Sequence, residues 1–392
     1  MLTKCLDTMT ELFTTHTKIV SLIKPDLPSL EDIEGPLREI LENGKITNFG
    51  RYVTAFEAEA SSYLGAEALT VSSGTVGLIF TLQALGLERG QKVIVPGFTF
   101  MATAQAVLYA GGIPVFAECE DDLTLSPADL AQLLDKHTDV GGVIATHIYG
   151  LPCRTDELQK LVDDYAQRQG RKVFLMYDAA HAFGSSVNGT RVGSFGAAEV
   201  FSLSVTKMLV SVEGGMVASR NSELIERIRK MRNYGIESNY NTYWPGMNGK
   251  MSEFHAIIGL HNLRRLDSLV AQRQQKARYF LDRIREQTNY ETLPWPEEVT
   301  HTFKDFTVLV PDEKASQRDT VIAFLKEQGI ETRAYFHPPV HEQEMFRQYS
   351  DRVLPRTESL SRRVITLPFY TSINEDEMDY VVEALERSEE VW

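Results

Sequence analysis

Three short segments hold the residue types that could do chemistry. In the first, Ser72-Ser73-Gly74-Thr75 follows the apolar run 69–71 and opens a helical pattern. Small residues at a helix start leave backbone N–H groups free to meet an anion, and the helix dipole favours one there. Ser73 and Thr75 add hydroxyl donors, although both types also serve as ordinary N-caps. In the second, Asp178 and His181 stand at the end of the apolar run 173–177. A carboxylate at the C-terminal end of a buried strand lies where open α/β sheets place their ligands. Ionised and buried, it needs a cationic partner, and a protonated heteroaromatic nitrogen would serve. In the third, Lys207 ends the stretch Phe201-Ser202-Leu203-Ser204-Val205-Thr206-Lys207, and Glu213-Gly214-Gly215 follows shortly after. A desolvated lysine loses its proton and becomes nucleophilic, so Lys207 is a candidate Schiff-base former.

These residues need elements to hold them. From 75 to 219 the chain alternates helical patterns (75–87, 99–109, 127–134, 156–167) with short apolar runs (92–96, 113–117, 142–147, 173–178, 200–204, 216–219). Short apolar runs between helices predict strands buried on both faces, in an α/β domain with a mostly parallel sheet. Beyond about 248 the texture changes. Helical stretches at 252–259, 262–286, 315–328 and 375–387 mix with a half-exposed strand pattern at 304–310 and strand-like runs at 332–336 and 364–367. This predicts a smaller α+β domain. Three regions follow: an N-terminal segment, 1–45, packing on the small domain; a large α/β domain, 46–266; and the small C-terminal domain, 267–392.

Composition bounds the function classes. The chain has 392 residues, 43% hydrophobic and 24% charged, with a net charge of −14, all ordinary for a globular protein large enough to bury its own core. An acidic chain is a poor non-specific binder of nucleic acid. The cysteines Cys5, Cys119 and Cys153 are few and scattered, which argues against a disulfide framework or a zinc ribbon. His337 and His341 are four apart, but Pro338-Pro339 between them breaks a helix, so no metal is expected. No apolar run spans a membrane and no signal-peptide pattern opens the chain, so a cytoplasmic location is the expectation. The glycine fingerprints of dinucleotide and P-loop folds are missing.

Taken together, SSGTVGL (72–78), PGFTFMAT (96–103), YDAAHAFGSS (177–186), FSLSVTK…EGG (201–215), RNYG (232–235), GMNGKMSEFHA (246–256) and TRAYFHPPVH (332–341) resemble the DegT/DnrJ/EryC1/StrS family of nucleotide-sugar aminotransferases, of aspartate-aminotransferase fold type I. The resemblance covers roughly 48–368. It implies pyridoxal 5'-phosphate as cofactor, with pyridoxamine 5'-phosphate as its aminated form. Lys207 would carry the cofactor and move protons, and Asp178 would keep the pyridine nitrogen protonated. His181 would lie beside the ring and Phe100 would stack on it. Gly74, Thr75 and Ser202 would hold the phosphate. Asn248 would reach the phosphate of a neighbouring subunit, making a homodimer with shared active sites. Lys250, Arg333, Tyr335 and His337 would meet the substrate.

The implied reaction transfers the amine of L-glutamate to a nucleotide-linked keto-deoxysugar in deoxyaminosugar biosynthesis, for lipopolysaccharide or glycosides. The opening PDLPSLEDI and the KMSEFHA element look most like the branch acting on dTDP-4-keto-6-deoxyglucose. A 3-keto sugar aminotransferase and a non-catalytic regulator that binds the cofactor are the alternatives. Two departures stand out: Ser204 occupies a place where many members have His, and Lys250 replaces an Arg. Relatives that dehydrate sugars carry His instead of the Schiff-base lysine, so Lys207 implies transamination.

Overall fold

The structure, a computed structural model, describes residues 19–392. Cys5 and the first part of the expected N-terminal segment lie outside the described residues.

A seven-stranded sheet dominates the large region. Its strands are β1 (Glu67–Val71), β2 (Lys92–Pro96), β3 (Ile113–Ala117), β4 (Val140–Thr146), β5 (Phe174–Asp178), β6 (Ala198–Ser202) and β7 (Gly215–Ser219). The spatial order is β1-β7-β6-β5-β4-β2-β3. β2 to β6 run parallel, while β7 is antiparallel to both of its neighbours. β4 is buried along its whole length, as a strand covered by helices on both faces must be.

Helix α1 (Gly74–Ala84) leaves β1 with Ser73 as its N-cap, the hydroxyl accepting from Val76 N at 3.2 Å. It is buried almost all round. Gly77 lets it press on the sheet, since a Cβ there would stand 2.8 Å from Val200 Cγ1. Helix α2 (Met101–Tyr109) joins β2 to β3 and packs against α1, and its first residue follows Phe100.

The sequence pattern suggested two helical stretches between 252 and 286. They form one helix, α3 (Glu253–Gln287). Gly259 does not interrupt it. A side chain there would collide with the Phe56 ring, so the glycine serves close packing between α3 and the preceding helix Arg51–Leu64. The first half of α3 packs Ala256, Leu260, Leu263 and Leu266 into the large region's core. Its second half sends Ala277, Phe280 and Ile284 into a separate core with Val308, Val321, Ile365 and Val381. The junction expected near 267 therefore falls inside a continuous helix.

The C-terminal region holds a three-stranded antiparallel sheet with β9 (Phe306–Leu309) between β8 (Glu291–Thr292) and β10 (Val364–Leu367). The half-exposed strand expected at 304–310 is a correction: all four residues of β9 are buried, because the sheet has apolar cover on both faces. The run 332–336 makes only one strand-like bridge, Arg333 to Thr366. Of the expected N-terminal segment, Val20 bridges Ile330 and Asp26 accepts from Thr371, both in the C-terminal region. The helix Leu30–Asn43 instead packs along α3.

Candidate active site

The carboxyl ends of β5 and β6, the N-terminus of α1 and the start of α2 enclose a cavity of about 410 Å³. Of the residues expected at the site, Gly74, Thr75, Phe100, Asp178, His181, Ser202, Lys207 and Tyr335 line it. They come together because parallel strands all release their next loop at one end of the sheet.

Asp178 ends β5 and is 4% exposed. Its Oδ2 accepts from Thr103 Oγ1 at 2.7 Å and its Oδ1 from Ala180 N at 3.1 Å. Thr103 bonds Thr99, which bonds Thr146, so hydroxyls from three elements fix the carboxylate. Burial pushes its pKa up, and those two hydrogen bonds oppose the shift. A positive partner beside Asp178 would relieve that strain.

Lys207 lies in the turn after β6, its N–H bonded to Ser204 O at 2.9 Å. Burial, helped by the Lys304 charge, lowers its pKa to about 8, with Asp305, Asp178 and Glu213 acting the other way. Near neutral pH a useful fraction is therefore the free amine. His181 accepts from Tyr149 N through Nδ1 at 3.1 Å, and burial holds its pKa well below the usual imidazole range. It is a neutral imidazole in this wall.

At the opposite end, Gly74 and Thr75 open α1 and Ser202 closes β6. The small residues are required there. A Cβ on Gly215 would stand 2.4 Å from the Ser73 carbonyl carbon and 2.5 Å from Gly74 N, filling the cradle that presents those amides. Phe100 is 48% exposed, and its ring sits 5.8 Å from the Phe336 ring.

Four expected residues stay outside this cavity. Asn248 is exposed beside the bridge it makes to Asn233. Lys250 Nζ donates to Asn233 Oδ1 at 3.1 Å. Arg333 is exposed and folds back on the Thr332 carbonyl, because the bridge to Thr366 fixes its backbone at the edge of β10. His337 turns to Ser361 Oγ at 3.1 Å. Sequence reasoning missed Thr103, which the apolar helix pattern concealed, and Lys304, which the alternating pattern assigned to solvent.

The residues fit pyridoxal phosphate: an amine with lowered pKa for its carbonyl, a buried acid for its ring nitrogen, and amides with hydroxyls for its phosphate. Comparison with known proteins agrees. Residues 29–386 match the DegT/DnrJ/EryC1/StrS aminotransferase family. The chain is 31% identical to GDP-perosamine synthase of Vibrio cholerae over 90% of its length and 95% of the relative's. It is 30% identical to dTDP-4-amino-4,6-dideoxy-D-glucose transaminase of Escherichia coli, covering 92% and 96% of the two chains. It is 32% identical to UDP-N-acetyl-3-dehydro-alpha-D-glucosamine 3-aminotransferase of Acidithiobacillus ferrooxidans, covering 90% and 95%. The solved structure of DesI in the presence of its TDP-sugar product matches with a TM-score of 0.85 at 30% identity, covering 93% of this chain and 91% of that one. No helix among the described residues is long and apolar enough to cross a membrane.

Proposed function

The chain belongs to the DegT/DnrJ/EryC1/StrS aminotransferase family and is a pyridoxal-phosphate-dependent nucleotide-sugar aminotransferase; from that premise we propose that it transfers the amine of L-glutamate to C4 of dTDP-4-keto-6-deoxyglucose. The observation that carries the chemistry is one cavity holding a lysine of lowered pKa and a buried, hydroxyl-braced aspartate. The dTDP-sugar transaminase and the TDP-sugar complex of DesI support the nucleotide and the position.

When bound, pyridoxal phosphate supplies an aldehyde that condenses with amines and a ring that draws electrons from the adjacent carbon. Asp178 keeps the ring nitrogen protonated, its own charge stabilised in return. Lys207 Nζ is the anchor and the base that takes the proton from the donor's α-carbon. Gly74, Thr75 and Ser202 hold the phosphate at the positive end of α1. Phe100 and His181, which line the cavity, would border the ring and shield it from water. Tyr335 faces the substrate.

Asn248 and Lys250 complete the site of a second copy in a homodimer, which accounts for their position away from their own chain's cavity. The surrounding loop exposes Tyr234, Tyr240, Tyr243 and Met247, an apolar surface suited to a subunit contact. Arg333 and His337 are both exposed and lie outside the cavity lining.

The test is the visible spectrum of purified holoenzyme titrated with L-glutamate, then with the keto-sugar. Loss of the band on glutamate and its return with dTDP-4-keto-6-deoxyglucose is the expected result. Return only with a 3-keto sugar would sink the C4 assignment. That second reading has its own support in the similarity to the UDP-linked 3-aminotransferase.

A further inference from the structure

Lys304 is a cavity residue without a role in the reading above. Its side chain is 5% exposed, and its ammonium bonds Asp305 Oδ1 at 2.7 Å, Asp305 itself being 2% exposed. The ammonium also lies 5.7 Å from the centre of the Tyr335 ring. An ammonium has three N–H donors, and the hydrogen bond to Asp305 takes one of them.

Burying such a pair brings little stability, because desolvation offsets the attraction. A ligand that arrives with negative charge would make use of it. Of the side chains lining this cavity, Lys207 and Lys304 are the two ammonium groups, while Asp178 and Glu213 are acids. Lys207 is committed to the cofactor's carbonyl. Lys304 stands close enough to Lys207 for its charge to rank next after burial in lowering the Lys207 pKa. An amino-acid donor carries its α-carboxylate one bond from the reacting carbon, so its anchor must lie near Lys207. The diphosphate of a nucleotide sugar lies several bonds from a C4 carbonyl and needs a cation farther out. A lysine point charge suits a single compact carboxylate. Arg333, expected to meet the substrate, points away from the cavity.

We propose that Lys304, held by Asp305, binds the α-carboxylate of the amino-acid donor. The inference rests on the aminotransferase reading and gives that reading its donor subsite. The expected behaviour separates the two half-reactions. The test compares wild-type holoenzyme with Lys304→Met, Lys304→Arg and the double variant Lys304→Met/Asp305→Asn. The double variant removes the carboxylate that Lys304→Met would strand in the interior.

Glutarate, which cannot react, is titrated into each by calorimetry, and single turnovers are followed with L-glutamate and, in reverse, with the amino sugar. Lys304→Met and the double variant are expected to weaken glutarate by about tenfold to a hundredfold, as for a lost charged hydrogen bond. The loss should be confined to the donor side, and Lys304→Arg should recover most of it. Unchanged glutarate binding in the double variant would overturn the proposal. So would an equal loss in both half-reactions, or a loss confined to the sugar side. A wild type that binds glutarate through Lys304 but is not aminated by L-glutamate would keep the subsite and sink the glutamate reading instead.

Discussion

The floor of the cavity and the loop 233–250 make opposite use of the same chain. The floor is closed within one subunit: Asp178 receives hydrogen bonds from Thr103 and Ala180, and His181 receives one from Tyr149. The loop carries Asn248, exposed, and Lys250, half-buried, beside exposed aromatic rings and outside its own chain's cavity. The difference teaches that a cofactor site needs groups preorganised by a rigid sheet, whereas the loop holds its polar groups outside that frame, where the proposed homodimer would use them.

If the floor acts as one unit, its members fail hardest. Lys207→Ala should abolish turnover while circular dichroism stays native, and wild-type rates would refute its role. Asp178→Asn should come next, lowering kcat by about 10² to 10³, the consequence of breaking a buried charge pair. Steady-state kinetics with saturating cofactor checks this.

A third experiment reads the floor without any reaction. The folded Lys207 pKa of about 8 lies below its ordinary 10.5, so the folded apoprotein carries a penalty at pH 7 that fades as pH rises from 8 to 10.5. The stability difference between Lys207→Met and wild-type apoprotein should narrow by about 2 kcal/mol between pH 7 and 10, measured by urea unfolding. A difference independent of pH would remove the lowered pKa from the argument.

The loop is tested by mixing. Lys207→Ala and Asn248→Ala chains, each inactive alone, should recover about a quarter of wild-type activity when co-expressed, because mixed dimers hold one intact site of two. No recovery would place Asn248 in its own subunit's chemistry. The smallest effect belongs to Thr103→Val, which deletes one hydrogen bond to Asp178 and should cost about 1 kcal/mol, roughly a fivefold loss in kcat.

Asp178 was legible in the sequence because it ends an apolar run whose strand is buried, and Lys207 because it lies in the turn just after another such strand. Position made them candidates, and the resemblance of the surrounding motifs assigned their roles. Thr103 was not legible, since a threonine inside a helical pattern carries no sign of what its hydroxyl meets. Lys304 misled for a physical reason: charge alternating with apolar residues ordinarily marks a solvent face, and here the charge is compensated by Asp305 next to it. Arg333 and His337 lie outside the cavity because the bridge to Thr366 holds the first at the edge of β10 and Ser361 engages the ring of the second. The unity of α3 was hidden by Gly259, whose reason is a neighbour that no local pattern contains.

That unbroken helix has a mechanical consequence. Between Val270 in one core and Ala277 in the other lies Arg273, whose guanidinium donates to the carbonyls of Thr302, Phe303, Lys304 and Phe369. The wall that carries Lys304 is thus riveted to a rod whose other end is embedded in the sheet's foundation. Widening the cavity means flexing the rod or drawing the rivet, so the aperture behaves as a stiff spring.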